Sequence, residues 1–173
     1  GGLERGNRAE EGAKILASWL GANPKDQDNR FLLASYYIQV GRIDDAIRET
    51  EALEGSLPDN PVLLNNLAWL YGQKANPKAI EVAERAHWLA PESADVMDTL
   101  GSLYVARGDT SKGIALLAKA HERAPDRSDI SYRYASALEK AGDASKARGV
   151  LEKALTTKAA FTGRADAEAM FKR

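Results

Sequence analysis

The stretch "LLNNLAWLYGQKANPKAI", residues 63–80, sets Leu67, Ala68 and Tyr71 on one helical face and then, past a short break, a second small residue, Ala79. The same order recurs along the chain. Ala34, Ala68, Gly101 and Ala135 are spaced 34, 33 and 34 apart, and Tyr37, Tyr71 and Tyr104 fall at 34 and 33. Ala46, Ala79, Gly113 and Ala147 follow at 33, 34 and 34, and Pro24, Pro58, Pro91 and Pro125 at 34, 33 and 34. Four residue classes that agree on one period define an internal repeat, of a length that suits a pair of helices.

A proline after each second helix stops it, because proline lacks the N–H and disfavours helix in the residue before it. First helices are expected near 27–40, 61–74, 94–107 and 128–141, and second helices near 43–55, 77–90, 110–123 and 144–157, each roughly 21 Å long. The helices of a pair close on small residues: Ala34 with Ala46, Ala68 with Ala79, Gly101 with Gly113 and Ala135 with Ala147. Leu33, Leu67, Leu100 and Tyr134 fill the rest of the seam. The shorter repeat has lost its residue between Tyr71 and Ala79, in "GQKANPK". Its neighbours carry Gly41, Gly108 and Gly142 in this turn, suited to a left-handed conformation. The short repeat reads Ala75-Asn76-Pro77 instead, and Pro77 is expected to open the next helix.

The organisation that follows is an all-α chain. It has the second helix of a partial repeat within 1–26, repeats at 27–60, 61–93, 94–127 and 128–158, and a terminal helix in 159–173 covering the last repeat. In that last segment Thr162 is the expected N-cap, with Phe161, Ala165, Ala169 and Met170 as the apolar set. The opening "GGLERGNRAEEG" is not a signal peptide and reads as the interior of a longer protein, with further repeats expected upstream.

The spacing, with L-[AG]-x-x-Y in the first helix, a small residue in the second and a closing proline, resembles the tetratricopeptide repeat. The resemblance covers 27–158 as four repeats and 9–26 as the second helix of a fifth. It implies a right-handed solenoid of antiparallel helix pairs with a C-terminal capping helix, its first helices lining a concave groove. The family's early tryptophan is replaced by Arg30, Leu64, Met97 and Ser131. A narrower likeness is carried by "ILASWLGANPKD" at 15–26, the repeat at 58–109 and "AAFTGRADAEAMFK" at 159–172. These resemble the C-terminal part of the TPR lipoproteins associated with bacterial exosortase/PEP-CTERM systems. That likeness implies a periplasmic or outer-membrane-attached protein serving exopolysaccharide export or protein sorting, with the cytoplasm as the alternative.

Chemistry is not expected. The chain has no cysteine, which removes disulfides and thiolate sites. His87 and His121 stand 34 apart in equivalent positions. Stacked helices lie roughly 8–10 Å apart, whereas one zinc needs its nitrogens at about 2 Å, so both histidines are expected at the surface. Asp44 and Asp45 sit at a helix start, where carboxylates suit the dipole. Neither a phosphate loop nor a Ser–His–Asp set is present, so no catalytic residue, cofactor or metal is expected.

Binding is the remaining expectation. The groove stripe reads Phe31, Ser35 and Gln39, then Asn65, Asn66, Trp69 and Gln73, then Asp98, Thr99 and Ser102, and finally Tyr132, Arg133, Ser136 and Lys140. Amides suit a peptide backbone or sugar hydroxyls, and Trp69 and Tyr132 offer contact area and stacking. A protein or peptide partner is the first reading. Polysaccharide recognition, or a spacer that self-associates, are the alternatives. With 24 basic and 25 acidic residues and no basic stripe, nucleic acid is excluded, and no apolar run is long enough to cross a bilayer. A clamp for acidic C-termini is not expected, because Asp95 and Asp129 stand where cations would be needed.

Overall fold

The repeat pattern folds as helices in a computed structural model that describes residues 2–156 and 160–172. The elements are α1 (Gly2–Ala22), α2 (Gln27–Gln39), α3 (Ile43–Glu54), α4 (Pro61–Gln73), α5 (Ala79–Leu89), α6 (Ala94–Arg107), α7 (Thr110–Arg123), α8 (Ser128–Lys140), α9 (Ala144–Leu155) and α10 (Arg164–Phe171). Among the described residues there is no strand. The expected helix end at 157, and the boundary between the last repeat and the terminal segment at 158–159, lie outside the described residues.

Side-chain caps fix where α2, α4 and α6 begin. The Asp26 carboxylate accepts the Asn29 N–H at 3.1 Å, Asn60 accepts those of Val62 and Leu63, and Ser93 accepts that of Val96. Each satisfies donors that a helix N-terminus leaves unpaired. α2 packs on α3, α4 on α5, α6 on α7 and α8 on α9, so each expected hairpin forms.

The chain divides into two compact units, Gly1–Leu89 and Ala90–Arg173. In the first, α4 turns six side chains inward: Leu63, Leu64, Leu67, Ala68, Leu70 and Tyr71. Leu70 joins Leu33, Tyr37 and Ala46 in the core with Ala13 and Leu20 of α1. In the second, Tyr134, Ala135 and Leu138 of α8 pack with Leu117, Ala147 and Leu151. Met97, Ala120 and Ile130 form a smaller cluster.

The small residues set how closely a pair can approach, most severely between α6 and α7. A Cβ placed on Gly113 would lie 2.4 Å from Val105 Cγ2 and 2.6 Å from the Gly101 carbonyl oxygen. Backbone cannot yield as a flexible side chain can. Gly113→Ala is therefore expected to cost about 1–2 kcal/mol, since overpacking of about 1–3 kcal/mol outweighs up to about 1 kcal/mol of helix propensity. Gly149, also inside a helix, has nothing among the described residues within 4 Å of an added Cβ. Gly149→Ala should raise the melting temperature where Gly113→Ala lowers it, read by thermal circular dichroism.

The shortened repeat departs from its neighbours in the turn. Gly41, Gly108 and Gly142 take φ of +75°, +101° and +87°, and Ala75 is forced to +50°. Pro77 does not open α5 as expected. Asn76 accepts the Lys78 N–H through its side chain and the Ala79 N–H through its carbonyl, and the helix starts at Ala79. A Cβ in the left-handed region is strained, so Ala75→Gly should stabilise by about 0.5–1 kcal/mol after the added unfolded-state entropy. A lower denaturation midpoint would contradict this.

The terminal helix forms but is set differently. Gly163, not Thr162, is the N-cap, at φ +89° and with no side-chain cap bond. A Cβ there would stand 2.2 Å from the Tyr132 ring, so only glycine fits. The helix turns Ala167 inward at 0% exposure and leaves Ala165 and Ala169 exposed, while Phe161 and Met170 pack half-buried as expected. Asp166 and Met170 lie against Tyr132 and Ser136, each 34 residues earlier. α10 thus sits on α8 where the first helix of another repeat would sit.

Candidate functional site

The faces of the first helices carry the expected stripe, and the two units present it differently. In the first unit, Asp28, Phe31, Leu32, Ser35 and Gln39 of α2 follow helical spacing. Val62, Asn65, Asn66, Trp69 and Gln73 stand 34 residues later on α4. Phe31 is 37% exposed and Trp69 39%, and Gln39 and Gln73 are open to solvent. Ser35 is half-buried and returns its hydroxyl to the Phe31 carbonyl of its own helix at 3.1 Å.

Asn65 and Asn66 are both half-buried. The Asn65 Oδ1 is shut off from solvent and accepts no hydrogen bond from the described residues, a situation that costs about 1–3 kcal/mol. The amides therefore border the core rather than standing clear of it. Leu32 and Val62, at 43% and 59% exposure, belong to the same faces but not to the expected stripe. A signal for both was present: Leu32 lies 34 residues before Asn66, and Val62 occupies the register of Asp28, Asp95 and Asp129.

The second unit closes most of its stripe. Asp98 and Thr99, expected in the open groove, are 6% and 9% exposed. Asp98 is held by Arg133, whose Nε bonds it at 2.8 Å and whose terminal nitrogen reaches both Asp98 and Asp129, at 2.6 and 2.8 Å. Arg127 completes the network with two bonds to Asp129 and one to Asp95 at 3.1 Å. Burial pushes the Asp98 carboxyl up despite its arginine. Hydrogen bonds from Arg127, then Arg133, hold Asp129 well below the usual carboxylate range. Arg133 is thus committed internally.

Tyr132 is half-buried, with its hydroxyl 3.5 Å from Asp166 of α10, and Ser136 meets the Met170 sulfur at 3.7 Å. Ser102 is half-buried with its hydroxyl oxygen enclosed and unpartnered, and Lys140 is exposed.

The histidines are not plain surface residues. His121 Nδ1 bonds the Ser131 hydroxyl at 2.9 Å, and the ring lies 5.8 Å from that of Tyr134. Burial lowers its pKa, and Lys153 adds to the effect. His87 is half-buried with Nδ1 enclosed. Among the described residues no group of three metal-ligating side chains forms, and no helix is long and apolar enough to cross a membrane. Asp44 and Asp45 both lie in the first turn of α3. Asp45 pairs with Arg42 at 2.5 Å and with Arg48, and Asp44 pairs with Lys74 at 2.9 Å.

Comparison with known proteins agrees with this geometry. Residues 104–160 match the family model described as tetratricopeptide repeat. No curated protein matches the chain in sequence. Among solved structures, a thermophilic TPR protein of Thermus thermophilus is 20% identical, with a TM-score of 0.80 over 99% of this chain and 94% of that one. A tetratricopeptide repeat protein of Parabacteroides merdae is 18% identical, with a TM-score of 0.83 over 98% of this chain and 66% of that one. MamA of Desulfovibrio magneticus is 19% identical, with a TM-score of 0.73 over 89% and 87%. At these identities the likeness is one of fold.

Proposed function

We propose that this chain, with its tetratricopeptide-repeat fold and the family match over residues 104–160, is a non-catalytic scaffold that binds a protein partner through its first-helix faces. The observation that carries this reading is Trp69, 39% exposed on α4 and grouped with Asn65, Asn66 and Gln73 on one side of the helix. A large aromatic that gives up burial in its own fold, beside amides that can bond a peptide backbone, fits an interaction face. The likeness to exosortase-associated lipoproteins supports a finer placement, in a bacterial envelope assembly for exopolysaccharide export or protein sorting, periplasmic or attached to the outer membrane.

The test is affinity capture from envelope extract with the wild-type chain and an Asn66→Ala/Trp69→Ala variant, followed by titration of the purified captured protein. A partner that binds the wild type and loses affinity for the variant supports the scaffold role. Equal binding by both forms would remove these faces from it.

Direct polysaccharide recognition is a second reading, drawn from the same tryptophan and amides. It is weakened by Tyr132, whose ring is engaged by Gly163 and α10. Quenching of tryptophan emission by the polysaccharide alone would favour it.

A further inference from the structure

The two units differ in what their first helices show to solvent. Among the described residues every large hydrophobic side chain that is exposed lies in the first unit, and four of them share the α2 and α4 faces: Phe31, Leu32, Val62 and Trp69. Ile15, Trp19 and Trp88, on α1 and α5, are exposed as well; scattered exposed apolar residues are ordinary, but four that share equivalent faces of neighbouring repeats form a candidate contact surface.

Charge separates the units as sharply. The 13 residues of α4, PVLLNNLAWLYGQ, include no Asp, Glu, Lys, Arg or His. Val62 stands where the other three repeats carry Asp28, Asp95 and Asp129. On α2 the single cation, Arg30, is tied to Glu49 at 2.5 Å and to the Pro24 carbonyl at 2.8 Å, and Asp28, at the start of the helix, is the one carboxylate of this face. In the second unit the corresponding faces hold Asp95, Asp98 and Asp129 with Arg127 and Arg133, joined in one network.

We infer that the α2–α4 face of the first unit takes an uncharged, apolar-rich peptide segment of a partner protein, anchored beside Trp69, and that the second unit does not select the ligand. This rests on the scaffold reading and names the chemistry of its partner. A charged segment laid on α4 would give up hydration with no countercharge to replace it, since burying an unpaired charge is far costlier than burying an apolar group. An apolar side chain gains contact with Trp69, Leu32 and Val62, and the segment's backbone finds the Asn66 and Gln73 amides. Ion pairs add little to such a contact, so salt has little to screen.

The test uses the full chain and three sets of short synthetic peptides of equal length: uncharged and apolar-rich, acidic, and basic. Binding is followed by fluorescence anisotropy at low and high salt. The expected result is binding of the uncharged set, with affinity changing less than about twofold with salt. It should weaken about tenfold or more in Trp69→Ala and in Val62→Glu, a charge placed at an exposed position. Thermal melts of both variants check that the fold survives; Val62→Glu keeps the test decisive if Trp69→Ala destabilises the chain. Preference for acidic or basic peptides, or steep loss of affinity with salt, would overturn the inference and leave the scaffold role standing. Binding insensitive to both variants would also overturn it. Failure of every peptide set, with tryptophan quenching by a polysaccharide, would overturn the scaffold role itself.

Discussion

Leu67→Ala is expected to destabilise the first unit by about 2–5 kcal/mol, the range for a buried leucine whose cavity only partly collapses. Leu67 is 0% exposed, and its neighbours Leu63, Leu64 and Leu70 are equally enclosed. They belong to an element packed against both α3 and α5, so its surroundings are held from two sides. Two positions along the same helix, Trp69→Ala should cost about 2 kcal/mol, because at 39% exposure part of its surface is already in water. Urea denaturation of both variants checks the pair: the Leu67→Ala midpoint should fall below that of Trp69→Ala. Equal losses would place Trp69 in the core and remove it from the proposed interaction face.

Removing the Arg133 guanidinium, as in Arg133→Leu, should cost about 2–3 kcal/mol at neutral pH. A fully buried pair broken on one side costs about 3–5 kcal/mol, and the partial exposure of Arg133 reduces that. Its side chain is 31% exposed, that of Asp98 only 9%. The loss must depend on pH. Burial already raises the Asp98 pKa, and without Arg133 the carboxyl rises further. A group whose folded pKa lies above its unfolded value stabilises below the unfolded pKa and loses that contribution as pH rises through the folded one. The penalty of Arg133→Leu should therefore shrink as the solution is taken from neutral towards about pH 4.

Asp129 behaves oppositely. Its lowered pKa gives stability above the unfolded value that is lost only as pH falls below the carboxylate range. Arg127 still holds it in the variant. Denaturation midpoints across this range check the trend, and adding Asp98→Asn to Arg133→Leu should recover part of the loss. A penalty independent of pH would show that Asp98 is not the charge left behind.

The hairpins were readable because their requirements repeat. Ala46, Gly113 and Ala147 must be small wherever two helices approach closely, and Leu33, Leu67 and Leu100 must be apolar wherever the seam closes. Those demands return once per repeat and so appear as a period. Single events were not readable in this way. Gly163 is the cap of α10 because the Tyr132 ring leaves no room for a Cβ, a contact that no periodicity announces. α5 starts at Ala79 because Asn76, rather than Pro77, organises the turn. The exposure of the first-helix faces was legible only in part. The stripe took in the exposed Trp69 and the half-buried amides, but also Asp98 and Arg133, which helical spacing places on the face and mutual attraction removes from it, and Thr99, which is buried.

Period and residue type alone were enough to establish the all-α repeat, its helix pairs and the one turn that is a residue short, because helix geometry and close packing are local demands written once per repeat. Whether a side chain on the open face is available to a partner depends on what stands opposite it in space. Arg133 meets Asp98 across 35 residues of sequence and is taken out of service, while nothing charged stands on α4 to cover Trp69. Charge pairing between helices, a tertiary relation with no local signature, decided that the first unit is left with an apolar face and the second with a closed ionic one.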